Sequence, residues 1–340
     1  MSRYQRQTIL PQVGERGQAL FGAGRVLIAG CGALGTHIAE QLVRAGVGYL
    51  RIVDRDIVEP TNLQRQTLFD ESHAKTAWPK ALAAAECLAA INSGVIVEPH
   101  IVDLHAGNVE SLVDSIDLIL DGTDNVATRY LLNDVAIKHG IPWIYGACVG
   151  VEGRVMAIQP NLSPCLRCIF PNPPSPETLA TCDTAGVLGP AAAVVASLQV
   201  VAAMKILTKN SAALSPELLS LNVWTSRFHA TSLTDARRND CPCCALRQFE
   251  FLSKLPAESA ITLCGRDAVQ VRGTARVDLS AMALRWMPLG EIEQNRFFLR
   301  CQLSDPAAIR LTLFTDGRLI VQGTRDAIRA KSLYARFVGA

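Results

Sequence analysis

The run RVLIAGCGALG, residues 25–35, restricts the fold of this chain more than any other stretch. A short apolar strand leads into glycines at 30, 32 and 35. THIAEQLVRAGV follows with helical periodicity, placing Ile38, Leu42 and Val43 on one face. In this G-x-G-x-x-G pattern, glycine lets a phosphate approach backbone N–H groups at a helix N-terminus. The next strand, YLRIVD, ends in Asp54 at the distance expected of an acid that holds a ribose. Gly30, Gly32, Gly35 and Asp54 are therefore nucleotide-binding candidates that do not say which nucleotide. A purely structural tight turn is the alternative.

The pattern continues. An alanine-rich helix spans about 80–91, and strands read in VIVEPHIVD (95–103), DLILDGTDN (117–125), IPWIYGACVG (141–150) and GRVMAIQP (153–160). Strands alternating with helices predict an α/β, Rossmann-like, doubly wound and mostly parallel sheet with its ligand at the carboxyl ends of the strands. After about residue 248 the character changes to short strands (AVQVRG, RFFLRCQL, IRLTLF, RLIVQG), with Asp316–Gly317 as a hairpin signal and a closing helix in DAIRAKSLYARFV. Residues 1–248 and 250–340 thus read as a main domain and a small α+β C-terminal domain.

Net charge is only +2, with 33 Lys and Arg against 31 Asp and Glu, so nothing argues for nucleic acid or a membrane surface as partner. The polar N-terminus lacks the apolar core of a signal peptide. Residues 185–204 carry no charge and are long enough to span a bilayer. They are rich in Ala and contain Pro190 and Gln199, which fits a buried helix beginning near Pro190. Eleven cysteines, several paired, fit a reducing cytoplasm better than a disulfide frame.

Directly after Asp54 come Asn62, Gln64 and Arg65, and Lys80 heads the alanine-rich helix. Arg65 offers a planar fork for phosphate oxygens and Lys80 a point charge. A dinucleotide pyrophosphate needs little beyond backbone and helix dipole, whereas a triphosphate undergoing displacement needs cations to neutralise developing charge. Singly, either residue reads as a solvated surface charge. Asp121 and Asp124, in DGTDN, suggest a Mg²⁺ ligand beside phosphates. The competing role is a helix cap by Asp124 or Asn125.

Cys165-x-x-Cys168 and Cys241-x-x-Cys244 have the form of a four-cysteine structural zinc site that staples a crossover segment to the main domain. Cys243 offers a tighter pairing, although the two-residue spacing favours Cys244. Cys182, in TCDTAG, is by spacing alone an ordinary cysteine.

RYQRQ at the N-terminus, GCGALG, VDRD…NLQRQ, PKA, DGTDN, both cysteine pairs and TCDTAG…GP occur in this order. Over residues 1–248 the chain resembles the MoeB/ThiF family of adenylyltransferases, which are related to ubiquitin-activating enzymes. IPWIYGACVG and TCDTAG look most like the ThiF branch, which acts on the sulfur carrier ThiS of thiamine thiazole synthesis. The resemblance implies ATP, with Asp54 on its ribose, Asn62, Gln64, Arg65 and Lys80 along its phosphates, and Asp121 and Asn125 also among the residues that bind it. It implies Mg²⁺ at Asp124 and Zn²⁺ on Cys165, Cys168, Cys241 and Cys244. It also implies a homodimer in which Arg6, with Arg3 nearby, reaches the other subunit's phosphates, and a Cys182 that can become linked to the carrier.

Two departures stand out. Ala77 replaces the glycine that commonly precedes PK, and residues 250–340 contain no rhodanese-like loop. Sulfur would then come from another protein, such as a cysteine desulfurase. A MoaD-like carrier of molybdopterin synthesis would present the same Gly-Gly tail as a ThiS-like one. The rivals are an NAD-dependent oxidoreductase, which leaves Arg65, Lys80 and Asp124 unexplained, and a zinc-stapled scaffold that binds a carrier without chemistry.

Overall fold

The computed structural model describes residues 3–174, 185–214, 216–253, 260–263, 267–273, 276–306 and 308–339. The chain divides into two compact units, Met1–Leu255 and Pro256–Ala340.

In the first unit, β1 (Arg25–Ala29), α1 (Ala33–Ala45), β2 (Tyr49–Val53), α2 (Lys80–Ile91), β3 (Ile96–His100), β4 (Leu118–Asp121), α3 (Val126–His139) and β5 (Trp143–Val149) alternate along the chain. β6 (Glu152–Ile158), α4 (Gly189–Leu207), β7 (Glu217–Asn222) and β8 (Arg227–Ser232) follow. The sheet runs β3-β2-β1-β4-β5-β6-β7-β8. Its first five strands are parallel, and β5 to β8 pair antiparallel.

β1 explains why the sheet is covered on both faces. Val26 and Ile28 bury into one apolar cluster with α1, α2 and α4. Leu27 and Ala29, pointing the other way, bury into a second with α3. All four are fully buried, and each large aliphatic among them contributes about 1.5–3 kcal/mol. A continuous apolar run is what a doubly covered parallel strand requires.

α4 is the one helix among the described residues long and apolar enough to cross a membrane, and half of that stretch is buried inside the protein. Its lone mid-helix amide explains how it docks. Gln199 is fully buried, and its Nε2 donates to Asp121 O at 2.9 Å and Ile144 O at 3.3 Å. Gly146 makes room for that amide, since a Cβ there would lie 2.4 Å from it. α4 thus packs over the end of β4 and the first half of β5.

The second unit is an antiparallel sheet with order β11-β12-β13-β14-β10-β9. Its strands are β9 (Ala260–Leu263), β10 (Ala268–Val271), β11 (Gly290–Gln294), β12 (Phe298–Leu303), β13 (Arg310–Phe314) and β14 (Leu319–Gln322). α5 (Leu279–Trp286) and α6 (Ala327–Phe337) share one apolar cluster with it. Asp278 and Asp326 cap these helices by accepting N–H bonds in their first turns. Asp316–Gly317 turns the β13–β14 hairpin, with Gly317 at φ +82°.

β7 and β8 carry no clear periodic signal in the sequence, whereas α5 does, with buried Leu279, Met282, Ala283 and Trp286 repeating at helical spacing. β8 is exposed at all six positions, so no in–out alternation of apolar residues marks it.

Candidate active site

β1 lies between β2 and β4, and the chain runs outward through β2 to β3 before crossing back to β4, so the switch point lies at the ends of β1 and β4. Two glycines meet there. A Cβ on Gly30 (φ +87°) would lie 2.8 Å from Gly122 O, and one on Gly122 would lie 2.5 Å from Gly30 O. Gly35 lets α1 approach the turn, since its Cβ would fall 2.0 Å from Gly30 O. Gly32 differs: a Cβ there meets nothing nearer than Gln66 Nε2 at 3.9 Å. Gly30 and Gly35 close the turn, and Gly32 leaves open space at the N-cap of α1.

Asp54 stands beside this turn. Its Oδ2 accepts from Cys31 N at 2.6 Å and its Oδ1 from Asp56 N at 2.7 Å. A carboxylate has about four acceptor sites, so two remain for hydroxyl donors. Burial raises its pKa above the ordinary carboxylate value, Asp56 adds to that, and Lys80 opposes it.

Lys80 is buried at the first position of α2, with Nζ 3.3 Å from Asp56 Oδ2. Arg65 is half-buried and donates to Thr61 O at 2.8 Å. Gln64 is exposed, and its carbonyl lies against Gly189 at the start of α4. Asn62 is buried and holds its own loop, accepting from Glu59 N at 3.0 Å. Ala77, just before Lys80, has φ +48° and is buried.

DGTDN separates its acids. Asp121 is fully buried and occupied: it accepts from Thr123 N (2.9 Å), Thr123 Oγ1 (2.7 Å) and Arg129 Nε (2.9 Å). Asp124 is exposed and makes no hydrogen bond among the described residues. Asn125 is the N-cap of α3, accepting from Thr128 N at 3.2 Å. The capping role therefore falls to Asn125 and leaves Asp124 available as an oxygen ligand for a divalent cation.

Two arginines enter the site that the sequence reading passed over. Arg129 donates to Asp121, to Thr123 O at 2.7 Å and to Gly146 O at 3.1 Å, tying the end of β4 and the middle of β5 to α3. Arg55 bonds Asp103 at 2.9 Å. Burial pulls its pKa down, but Asp103, Asp56, Asp124 and Asp54 together outweigh this and leave it raised. An arginine directly after the strand-end acid was the available signal for Arg55. For Arg129 there was none, because its partners are tertiary.

Arg6 is exposed on the short helix Gln5–Thr8. That segment is anchored at the C-terminal end of α1, where Gln7 Nε2 donates to Ala45 O at 3.1 Å. Tyr4 packs where a Cβ on Gly46 would intrude, 2.3 Å from its ring. α1 has 13 residues, so at about 1.5 Å per residue Arg6's anchor lies roughly 20 Å from the glycine turn of the same chain. Cys182 lies outside the described residues.

Away from the switch point, the Sγ atoms of Cys165, Cys168, Cys241 and Cys244 all lie within 4.8 Å of one another. The 165–168, 165–241 and 168–244 separations are 4.0, 3.6 and 3.5 Å. Four thiolates around Zn²⁺ at about 2.3 Å would sit roughly 3.8 Å apart, so the donor set fits a tetrahedral metal. Cys243 is outside this set and accepts a hydrogen bond from Asn133 Nδ2 at 3.2 Å.

Over its whole length the chain is 41% identical to the sulfur carrier protein ThiS adenylyltransferase of Bacillus subtilis (strain 168), covering 99% of each. It is 39% identical to the sulfur carrier protein adenylyltransferase of Thermus thermophilus over 72% of this chain and 90% of the relative. Among solved structures, E. coli MccB with ATP shares the fold, with a TM-score of 0.62 at 20% identity over 72% of this chain and 74% of that one. Residues 4–243 match the model of the ThiF family, and the chain belongs to that family.

Proposed function

We propose that this chain adenylates the C-terminal glycine of a small ubiquitin-fold sulfur carrier of the ThiS type. A carboxylate oxygen of the carrier attacks the α-phosphorus of ATP, the bond to the bridging oxygen of the β-phosphate breaks, and pyrophosphate leaves. The product is an acyl-adenylate. No general base is needed, because a carboxylate is ionised at neutral pH. Catalysis then consists of positioning and charge stabilisation.

The roles follow from the site. Asp54 accepts from the ribose hydroxyls with the acceptor capacity its two backbone N–H bonds leave. The open N-cap at Gly32 takes a phosphate. Lys80 and Arg65 neutralise the triphosphate, with Asn62 and Gln64 shaping the loop around it. Asp124 would hold Mg²⁺, which screens the leaving pyrophosphate when bound. Asp121 acts by fixing the turn, not as a ligand. Zn²⁺ would sit on Cys165, Cys168, Cys241 and Cys244 as a structural ion.

The active form is a homodimer. The roughly 20 Å between Arg6's anchor and its own glycine turn supports Arg6 acting on the partner's phosphates. Cys182 takes part in the later sulfur transfer, with a desulfurase as donor, and the enzyme works in the cytoplasm.

The single observation that supports this reading is that Asp54, after β2, is bonded to the turn after β1 and feels the charge of Lys80, while the exposed Asp124 follows β4, the other neighbour of β1; a nicotinamide enzyme does not need this arrangement. End-to-end similarity to a ThiS adenylyltransferase favours a ThiS-like over a MoaD-like carrier. ATP–pyrophosphate exchange with purified carriers tests it. Exchange should require a carrier with an intact glycine terminus, and a ThiS-like carrier should outperform a MoaD-like one. Nicotinamide binding without exchange would overturn it.

A further inference from the structure

α3 begins at the nucleotide site, where Asn125 caps it and Arg129 grips Asp121 and Thr123. Two turns further on, the same helix meets the cysteine cluster. Asn133 is fully buried there, and its amide is used at both ends. Its Oδ1 accepts from Leu166 N at 2.9 Å, inside the Cys165–Cys168 loop, while its Nδ2 donates to Cys243 Sγ at 3.2 Å, inside the Cys241–Cys244 loop. One side chain therefore ties both metal-binding loops to the helix that carries Asp124's turn.

Other bonds run the same way. Asp134 accepts from Phe251 N at 2.9 Å, Tyr130 Oη donates to Phe170 O at 2.9 Å, and Arg247 donates to Ile137 O at 3.1 Å. These hold single segments, whereas Asn133 bridges the two loops.

We propose that Asn133 is a positioning residue. It aligns the two cysteine loops with each other and, through α3, couples the metal centre to the placement of the Asp124–Arg129 turn against ATP. Cys243 is its anchor and not a metal ligand. The coupling to metal rests on the zinc proposed above. Groups that orient metal ligands commonly change metal affinity by roughly 10- to 100-fold when removed.

The test uses the purified full chain with its metal. Asn133→Ala should release metal to a chromophoric chelator roughly 10- to 100-fold faster than the parent and raise the KM for ATP while leaving the KM for the carrier unchanged. Cys243→Ala should behave the same way. Cys243→Ser, whose hydroxyl still accepts from Asn133, should stay near the parent in both. A merely structural role would lower the melting temperature without separating the two KM values. Folded Asn133→Ala with parent metal release and parent KM for ATP overturns the proposal, as does metal loss in Cys243→Ser. If the parent itself carries no metal, the zinc reading fails. Asn133 is then decided by the two KM values alone, and an unchanged KM for ATP overturns its role.

Discussion

Arg129 Nε lies 2.9 Å from Asp121 Oδ2, and this pair, rather than Asp121 alone, fixes the turn that follows β4. Asp121 is wholly buried and Arg129 nearly so, at 12% exposure. The same guanidinium holds Thr123 O and Gly146 O, so the turn that presents Asp124 is set by a group five residues further on. Removing one partner of a buried pair leaves an uncompensated charge. Arg129→Met should therefore lose about 3–5 kcal/mol of unfolding free energy, measurable in urea. A loss below 1 kcal/mol would mean that water or a rearranged partner replaces it.

Asp124→Asn should do the opposite. The side chain is exposed and unbonded among the described residues, so stability should stay within about 0.5 kcal/mol of the parent while Mg²⁺-dependent pyrophosphate exchange disappears. Near-normal exchange would remove Asp124 from the metal site.

Arg6 tests the dimer. Arg6→Ala and Asp124→Asn homodimers should each be inactive, yet mixing them should restore exchange, because one site of a mixed dimer holds its own Asp124 and the partner's Arg6. If mixed dimers form and exchange stays absent, Arg6 does not act across the interface.

Ala77 at φ +48° occupies a conformation that favours glycine. A left-handed L-residue costs roughly 1–2 kcal/mol, and the greater unfolded-state freedom of glycine offsets part of any relief. Ala77→Gly should therefore raise stability by up to about 1 kcal/mol and leave exchange unchanged. A clear loss of stability would mean that the Ala77 methyl packs in a way that outweighs the strain.

Cys182 separates the two half-reactions. Adenylation needs no thiol, so Cys182→Ala should keep carrier-dependent exchange. It should fail to form the covalent adduct with the carrier that non-reducing mass spectrometry detects in the parent during sulfur transfer. Loss of exchange would make it a packing residue instead.

What could be read from the sequence depended on how local each signal was. The glycine turn, Asp54 and the two Cys-x-x-Cys pairs declare themselves because their geometry is fixed by a few adjacent residues. The choice between Cys243 and Cys244 needed the fold: the Cys244 Sγ joins the other three within 4.8 Å, whereas the Cys243 Sγ accepts from Asn133. Asp121 and Asp124 look equivalent three residues apart, but one faces Arg129 and the other solvent. Asn125 could be read as a nucleotide contact or as one of two candidate caps, and the fold makes it the cap. β8 escaped because an edge strand exposed on both faces carries no alternation.

Adenylation is tested most directly by the mass of the carrier after incubation with this chain, ATP and Mg²⁺ in the absence of a sulfur donor. A ThiS-like carrier with an intact C-terminal glycine should gain one AMP moiety, and the same carrier with that glycine removed should gain nothing. Asp124→Asn should leave the intact carrier unmodified. An unmodified carrier with the folded, metal-loaded parent enzyme, under conditions where the two proteins bind each other, would contradict adenylation and leave a binding scaffold in its place.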